Sequence, residues 1–267
     1  MTDKKIAKNT LLFTQEGAVA IVSINDPPWN PMSMEFFDKL EKLVPKLSTD
    51  QSVRAIVITA EGEDNFSVGM DLKQMAKVGS NTKRLHEILD QRLRVESAIE
   101  NIGKPVVTTL FGYCLGGGLE LPLACHFRLA AEEGAKIGLP EMDLGTVPAW
   151  GGSARLTRCV GRLYALDMIL RGRKISGQEA YRIGLVNEVV PNAELKKRAL
   201  ELANELSEMP TIAVSEVLRL VVEYGDQPLQ EGLYQERQAV LKTMGTKDNQ
   251  EGMMAFLQKR KPKFNKL

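Results

Sequence analysis

Apolar positions along the chain follow two periods. Continuous apolar runs at 54–60 (RAIVITA) and 106–111 (VVTTLF), each bounded by turn residues, carry the pattern of buried strands. Residues 11–24 predict two strands around a Gln15-Glu16-Gly17 turn, with Ala18, Ala20 and Val22 alternating against Val19, Ile21 and Ser23, so the fold opens as a hairpin. The three prolines of Asp26-Pro27-Pro28-Trp29-Asn30-Pro31 remove donors and fix φ, which makes this stretch a loop. Phe36, Phe37, Leu40 and Leu43 then recur at helical spacing over 33–47. A short helix follows through Leu72 and Met75. A longer one is predicted over 82–102, with Leu85, Ile88, Leu89, Leu93 and Ile99 as its apolar stripe. Strand and helix alternate, which argues for an α/β class. Short strands are predicted at 127–131 and 136–138, and a loop runs from Pro140-Glu141 to Trp150-Gly151-Gly152. From Arg155 nearly everything reads as helix, over 155–160, 162–170, 176–183, 193–207, 212–224, 229–244 and 249–260. A composition shift near Met209-Pro210 divides the chain into a core, 1–208, and a helical region, 209–267.

A chain of 267 residues buries a substantial core, and a net charge of +1 gives no bulk drive toward nucleic acid or membrane. Three cysteines, Cys114, Cys125 and Cys159, are odd in number and lack CxxC spacing, which argues against a disulfide framework or a cysteine-rich zinc site and for a reducing, cytosolic compartment. The charged N-terminus lacks the apolar core of a signal peptide, and no apolar run reaches membrane-spanning length. The C-terminal Asn265-Lys266-Leu267 only loosely resembles a peroxisomal address.

The candidate chemistry centres on residues 104–121, KPVVTTLFGYCLGGGLEL. Gly116, Gly117 and Gly118 let the backbone turn and approach a ligand, and the apolar stretch after them enters a helix whose first amides lie unpaired. Such amides hold developing negative charge. Glu120 follows three residues after Gly117; by spacing alone it reads equally as a carboxylate complementing the helix dipole. Only two histidines, His86 and His126, leave little material for a Ser-His-Asp triad or a His-rich metal centre, and His126 reads as a structural residue at a strand start. Neither GxxxxGK[ST] nor GxGxxG occurs, so nucleotide-triphosphate and dinucleotide readings fail.

These residues, together with FSVGMDL at 66–72, LPEMDLGTVPAWGG at 139–152, RKISGQEAYRIGLVNEVV at 173–190 and EGMMAFLQKRKPKF at 251–264, resemble the crotonase superfamily, and within it the enoyl-CoA hydratases. The resemblance covers almost the whole chain. It implies a spiral of repeated ββα units, followed by helices that trimerise, often as a dimer of trimers. It also implies a CoA thioester substrate, with CoA entering as part of the substrate and no separate cofactor or metal. By position the backbone amides of Met70 and Gly117 would form an oxyanion hole. Glu120 would activate water and Glu141 would deliver the proton; an exposed loop glutamate is the plain alternative for Glu141. Backbone at Ser67, Val68, Met70 and Leu72 would line the adenine and pantetheine, and the loop with Trp29 would cover the nucleotide, although Trp29 also reads as a packing residue. Lys259 and Phe264 lie in a tail resembling the segment that reaches a neighbouring subunit's CoA; a solvated basic tail is the other reading.

The chain departs from the family pattern in four places, one of them His126, which stands where an aspartate is common after the cysteine. The connection Ala131-Glu132-Glu133-Gly134-Ala135 is one residue longer and reads as a hairpin extension, Ala149 stands where a glycine is common, and Trp150 adds bulk beside it. Within the superfamily, an enoyl-CoA isomerase or a CoA thioester hydrolase remain alternatives. An RNA-binding member would use Lys83, Arg84, Arg92 and Arg94, but Glu87, Asp90 and Glu96 interleave with them, as on a solvated helix face.

Overall fold

The computed structural model of the chain describes residues 9–265. The start of the charged N-terminus, and Lys266 and Leu267 of the C-terminal tripeptide, lie outside the described residues. Strands β1 (Leu11–Glu16) and β2 (Val19–Ile24) form the expected antiparallel hairpin. After the proline loop, Ser33 caps α1 (Met34–Thr49) by accepting the Phe36 amide at 3.1 Å, and the helix buries Phe36, Phe37 and Leu40. There follow β3 (Ala55–Ala60), α2 (Leu72–Val78), α3 (Thr82–Glu100), β4 (Val106–Leu110), β5 (Tyr113–Leu115) and α4 (Gly117–Leu123). Then come β6 (Phe127–Ala131), β7 (Lys136–Gly138), a 3₁₀ turn (Glu141–Leu144), α5 (Gly152–Leu170), α6 (Gly177–Arg182), β8 (Glu188–Val190) and α7 (Asn192–Ser207).

The large sheet has six strands in the order β1-β2-β3-β4-β6-β8, parallel beyond the first hairpin. A small second sheet pairs β5 with β7 and is continued by single bridges at Met32–Met70, Ser67–Cys114 and Ile137–Ile175. From β2 to β7 the chain therefore winds as a spiral, each turn laying a strand in the large sheet and then a shorter segment in the small one. Fully buried Val, Ile, Leu and Ala side chains fill the space between the layers, and α7 packs across β2, β3, β4 and β6.

Several expectations are corrected here. Strands β6 and β7 belong to different sheets, so the connection from Ala131 to Ala135 is a crossing between layers and not a hairpin extension. Strands β5 and β8 have three residues each, too few to show a period. The apolar stripe of α3 is rotated: Leu93 is 40% exposed, whereas Arg92 and Glu96 are buried. The Arg92 guanidinium lies 4.1 Å over the Phe37 ring and Glu96 pairs with Arg155 at 3.1 Å, so charge compensation replaces an apolar lining. Arg92 is thereby removed from any solvated basic face. The two helices expected at 155–160 and 162–170 are present: the helical stretch α5 (Gly152–Leu170) starts at Gly152 and is broken at Gly161, whose φ 77° and ψ 165° are not helical.

Pro210 separates α7 from α8 (Thr211–Tyr224), α9 (Leu229–Thr243) and α10 (Lys247–Leu257). Helices α8 and α9 pack on each other, and this region leaves Val221, Leu229, Phe256 and Leu257 between 68% and 83% exposed. Among the described residues, no helix is long and apolar enough to cross a membrane.

Candidate active site

The site is built where the two layers of the spiral meet. Strand β5 runs into Gly116, whose carbonyl accepts the Leu119 and Glu120 amides at 2.7 and 2.9 Å and so starts α4. Opposite, the segment before α2 is stitched to β5: the Ser67 amide donates to Tyr113 O at 2.9 Å and the Leu115 amide to Ser67 O at 3.1 Å. The Ser67 hydroxyl donates to Asn30 O at 2.7 Å and accepts the Gly69 amide at 3.0 Å. Gly69 adopts φ 87°, and a Cβ there would stand 2.5 Å from Leu115 O and 3.0 Å from the Gly117 nitrogen. Only glycine allows the Gly69-Met70 peptide to come this close to Gly117. The amides of Met70 and Gly117 donate to no group among the described residues, so both are available to an external acceptor.

Two carboxyl groups complete the site. Glu120, in the first turn of α4, is 2% exposed, and its Oε1 accepts the Trp150 and Gly152 amides at 2.8 and 2.9 Å. Burial pushes its proton affinity up to about 7; the two amides and Arg155 oppose this, and the nearby Glu141 carboxylate reinforces it. Glu141 opens the 3₁₀ turn. A Cβ at Gly116 would lie 2.9 Å from its Oε1, and its Oε2 is buried with no protein partner. Burial raises this carboxyl too. A site with two free donors facing two carboxyls, both raised toward neutrality, can hold an anionic oxygen while protons move beside it.

The cavity over these groups has a volume of about 320 Å³. Val68, Met70, Leu72, Gly117, Glu120 and Glu141 all line it, together with apolar Met75, Leu85 and Leu89 from α2 and α3. Its rim residues Leu72, Leu144 and Val147 are 51–62% exposed, an apolar mouth open to a ligand. Trp150 forms a wall, 3% exposed and edge-on to Phe37 at 5.1 Å, with Ala149 beside it. Ser67 does not line the cavity: it is fully buried, its groups spent on holding the loop. Trp29 is 53% exposed and stacked on Tyr113 at 6.0 Å; its carbonyl accepts the Val68 amide, but its side chain does not line the cavity. Lys259 and Phe264 are not brought to the cavity of their own chain; Phe264 packs toward Gly252 on α10. A larger hollow of about 550 Å³ lies between the C-terminal helices, but its one carboxylate, Asp248, already accepts the Asn265 amide at 2.8 Å.

Residues not singled out by pattern also shape the site. Asn30, fully buried with φ 48°, donates to Glu61 O and Asn65 O and accepts the Asp26 amide, tying the proline loop to the segment carrying Ser67. Arg155 pairs with buried Glu96 and half-buried Glu100, and the charges of Arg155 and Glu120 act on each other. Asn within a proline-rich loop, which tolerates the left-handed region, was the one available signal for Asn30; the ion cluster joins helices too distant in sequence to give any. His126 is structural: its Nδ1 accepts the Val106 amide and its Nε2 bonds Glu100 O, both at 3.0 Å, and burial lowers its proton affinity.

A layered α/β spiral carries a cavity lined by two unengaged backbone amides and two carboxyls, and comparison with known proteins gives the family. The enoyl-CoA hydratase/isomerase family matches residues 14–266. A probable enoyl-CoA hydratase of Bacillus subtilis is 36% identical over 96% of this chain and 98% of its own length. The short-chain-enoyl-CoA hydratase of Clostridium acetobutylicum is 33% identical, over 95% and 96%. A crystal structure of an enoyl-CoA hydratase from Geobacillus kaustophilus superposes with a TM-score of 0.92 at 30% identity, covering 97% of this chain and 98% of that one. The chain belongs to the enoyl-CoA hydratase/isomerase family, and its fold is the crotonase fold with C-terminal helices.

Proposed function

We propose that this protein is a hydro-lyase that adds water across the 2,3 double bond of an enoyl-CoA thioester. The observation that carries the reading is the pair of raised carboxyls, Glu120 and Glu141, in one cavity with the unengaged amides of Met70 and Gly117. The thioester oxygen accepts both amides, which makes C3 electrophilic and holds the enolate, an effect of about 10²- to 10³-fold per donor. Ionised Glu120 takes a proton from water as the water oxygen bonds to C3. Protonated Glu141 gives its proton to C2 as the enolate collapses. The π bond is lost, one C–O and one C–H bond form, and the two carboxyls have exchanged roles, to be reset by proton exchange with solvent. Each carboxyl contributes roughly 10²- to 10⁴-fold.

In the same reading, the backbone from Val68 to Leu72 tracks the pantetheine and adenine, with Ser67, fully buried and bonded to β5, only holding that segment in place, Trp29 covers the nucleotide, and Lys259 and Phe264 serve the site of a neighbouring subunit. The exposed apolar side chains of α8 to α10 suit burial in a homotrimer or a dimer of trimers. A reducing, cytosolic setting accords with three unpaired cysteines.

The test follows the loss of enone thioester absorbance from crotonyl-CoA in wild type, Glu120→Gln and Glu141→Gln. Turnover in wild type and near-abolition in both variants is expected. Turnover that survives in Glu120→Gln alone would point to an isomerase working through Glu141, and release of free CoA to a thioester hydrolase.

A further inference from the structure

We infer that Arg155 is a positioning residue for Glu120: its guanidinium holds the Trp150 carbonyl and fills the inside of the turn from Trp150 to Gly152, and so keeps that turn's amides on the carboxylate. The kinetic arm of the test below rests on the hydratase reading; the geometry does not.

The Gly151 carbonyl accepts the Arg155 amide at 2.9 Å, and the Trp150 carbonyl accepts Arg155 Nη1 at 2.9 Å. The first is a main-chain bond that any residue at 155 would make; a peptide being planar and trans, it turns the Gly152 N–H the opposite way, and the guanidinium adds the hold on the Trp150 carbonyl next to it. The Gly152 N–H meets Glu120 Oε1 at 2.9 Å, beside the Trp150 amide at 2.8 Å. The guanidinium fills the inside of the turn: a Cβ on Gly151, φ 104°, would stand 2.2 Å from Nη1. It is itself held by α3. Nη1 donates to Glu96 Oε2 at 3.1 Å, while Nε and Nη2 donate to Glu100 Oε2 at 3.0 and 2.9 Å. From the other side, Arg92 lies 5.8 Å over the Trp150 ring. This planar fork, spanning two carboxylates and a carbonyl at once, is a task that a lysine ammonium cannot match.

The charges around Glu120 are Glu141 from the 3₁₀ turn, Arg155 from α5, and Glu96 from α3, with Glu100 and Arg92 adjoining the last two. Arg155 favours the ionised form of Glu120, and Glu120 in turn raises Arg155. Loss of the guanidinium therefore releases the Trp150 carbonyl, empties the inside of the turn and makes Glu120 harder to ionise.

The experiment uses full-length Arg155→Gln and Arg155→Lys, with folding checked by thermal melts. Glu120 is titrated by infrared difference spectroscopy of its carboxyl band, assigned with Glu120→Gln, and kcat and KM for crotonyl-CoA are followed against pH. In Arg155→Gln the Glu120 band titrates at higher pH, the acidic limb of kcat/KM moves up with it, and kcat falls by about tenfold or more while KM changes little. In Arg155→Lys the titration stays near wild type, but kcat remains several-fold low, because a displaced turn misplaces the carboxylate. A folded Arg155→Lys with wild-type kcat, or a folded Arg155→Gln with an unmoved Glu120 band, overturns the inference. If Arg155→Gln does not fold, Arg155→Lys decides alone. If wild type does not turn over any enoyl-CoA, the hydratase reading falls while the carboxyl titration still tests Arg155.

Discussion

Gly117→Ala probes the closest contact in the site. The added Cβ would stand 2.0 Å from Trp150 Cζ3 and 2.7 Å from two further ring atoms, well inside van der Waals contact. The indole has little room to retreat, being 3% exposed and backed by Phe37 at 5.1 Å. Overpacking of this kind costs about 1–3 kcal/mol. Any relief moves either the Gly117 amide or Trp150, whose own amide holds Glu120. Misaligning one oxyanion donor lowers kcat by about 10²- to 10³-fold. Trp150→Ala alone costs about 3–5 kcal/mol through the cavity it leaves. Because all three nearest atoms belong to Trp150, the methyl group at position 117 fits freely once the ring is gone, so the double variant is more stable than additivity predicts by about 1–3 kcal/mol. Urea unfolding of the four proteins, with steady-state hydration of crotonyl-CoA, measures both effects. Additive unfolding energies, or a Gly117→Ala protein with unchanged midpoint and kcat, would refute the packing argument.

Glu120→Gln should abolish turnover yet stabilise the protein at alkaline pH. Folding raises the Glu120 pKa from 4.5 to about 7, so the stability this group contributes is full below 4.5 and lost as pH rises through 7; the glutamine form gains on wild type across that window, reaching on the order of 3 kcal/mol above it, as urea midpoints at pH 5 and pH 8.5 will show. For wild type, kcat/KM should fall as pH drops below about 7, where Glu120 takes up a proton, and a flat profile from pH 5 to 8 would count against Glu120 as the base. Asn30→Ala removes three hydrogen bonds, one within the proline loop and two that tie it to Glu61 and Asn65 before the Ser67 segment; a loss of about 1–3 kcal/mol is expected in denaturant melts, with KM for the CoA ester rising. Light scattering should give three or six chain masses, and a monomer at micromolar concentration would contradict the assembly proposed for the exposed faces of α8 to α10.

Much of the fold was legible because its strands are apolar on both faces and its helices are long enough to show a period. The runs at 55–60 and 106–110 emerge as central parallel strands, and the proline loop is where the donors are missing. What the chain hid was short or cross-connected. Strands β5 and β8 are held by pairing with partners distant in sequence, and three residues cannot display alternation. On α3 the apolar count pointed at Leu93, because pattern treats every arginine and glutamate as solvated; Arg92 and Glu96 are buried since Phe37 and Arg155 come from α1 and α5 to meet them. At the site, the glycine triplet and both glutamates stood out in sequence. The turn from Trp150 to Gly152, which orients Glu120, carries its information in backbone direction and leaves no side-chain signature.

The most direct test of the central claim is the mass of the product formed from crotonyl-CoA in ¹⁸O-labelled water. The account predicts that the acyl-CoA gains one water bearing the label, stably held at C3, in wild type and in neither Glu120→Gln nor Glu141→Gln. A product of unchanged mass, or free CoA with labelled crotonate, would contradict it and assign the site to isomerisation or thioester hydrolysis.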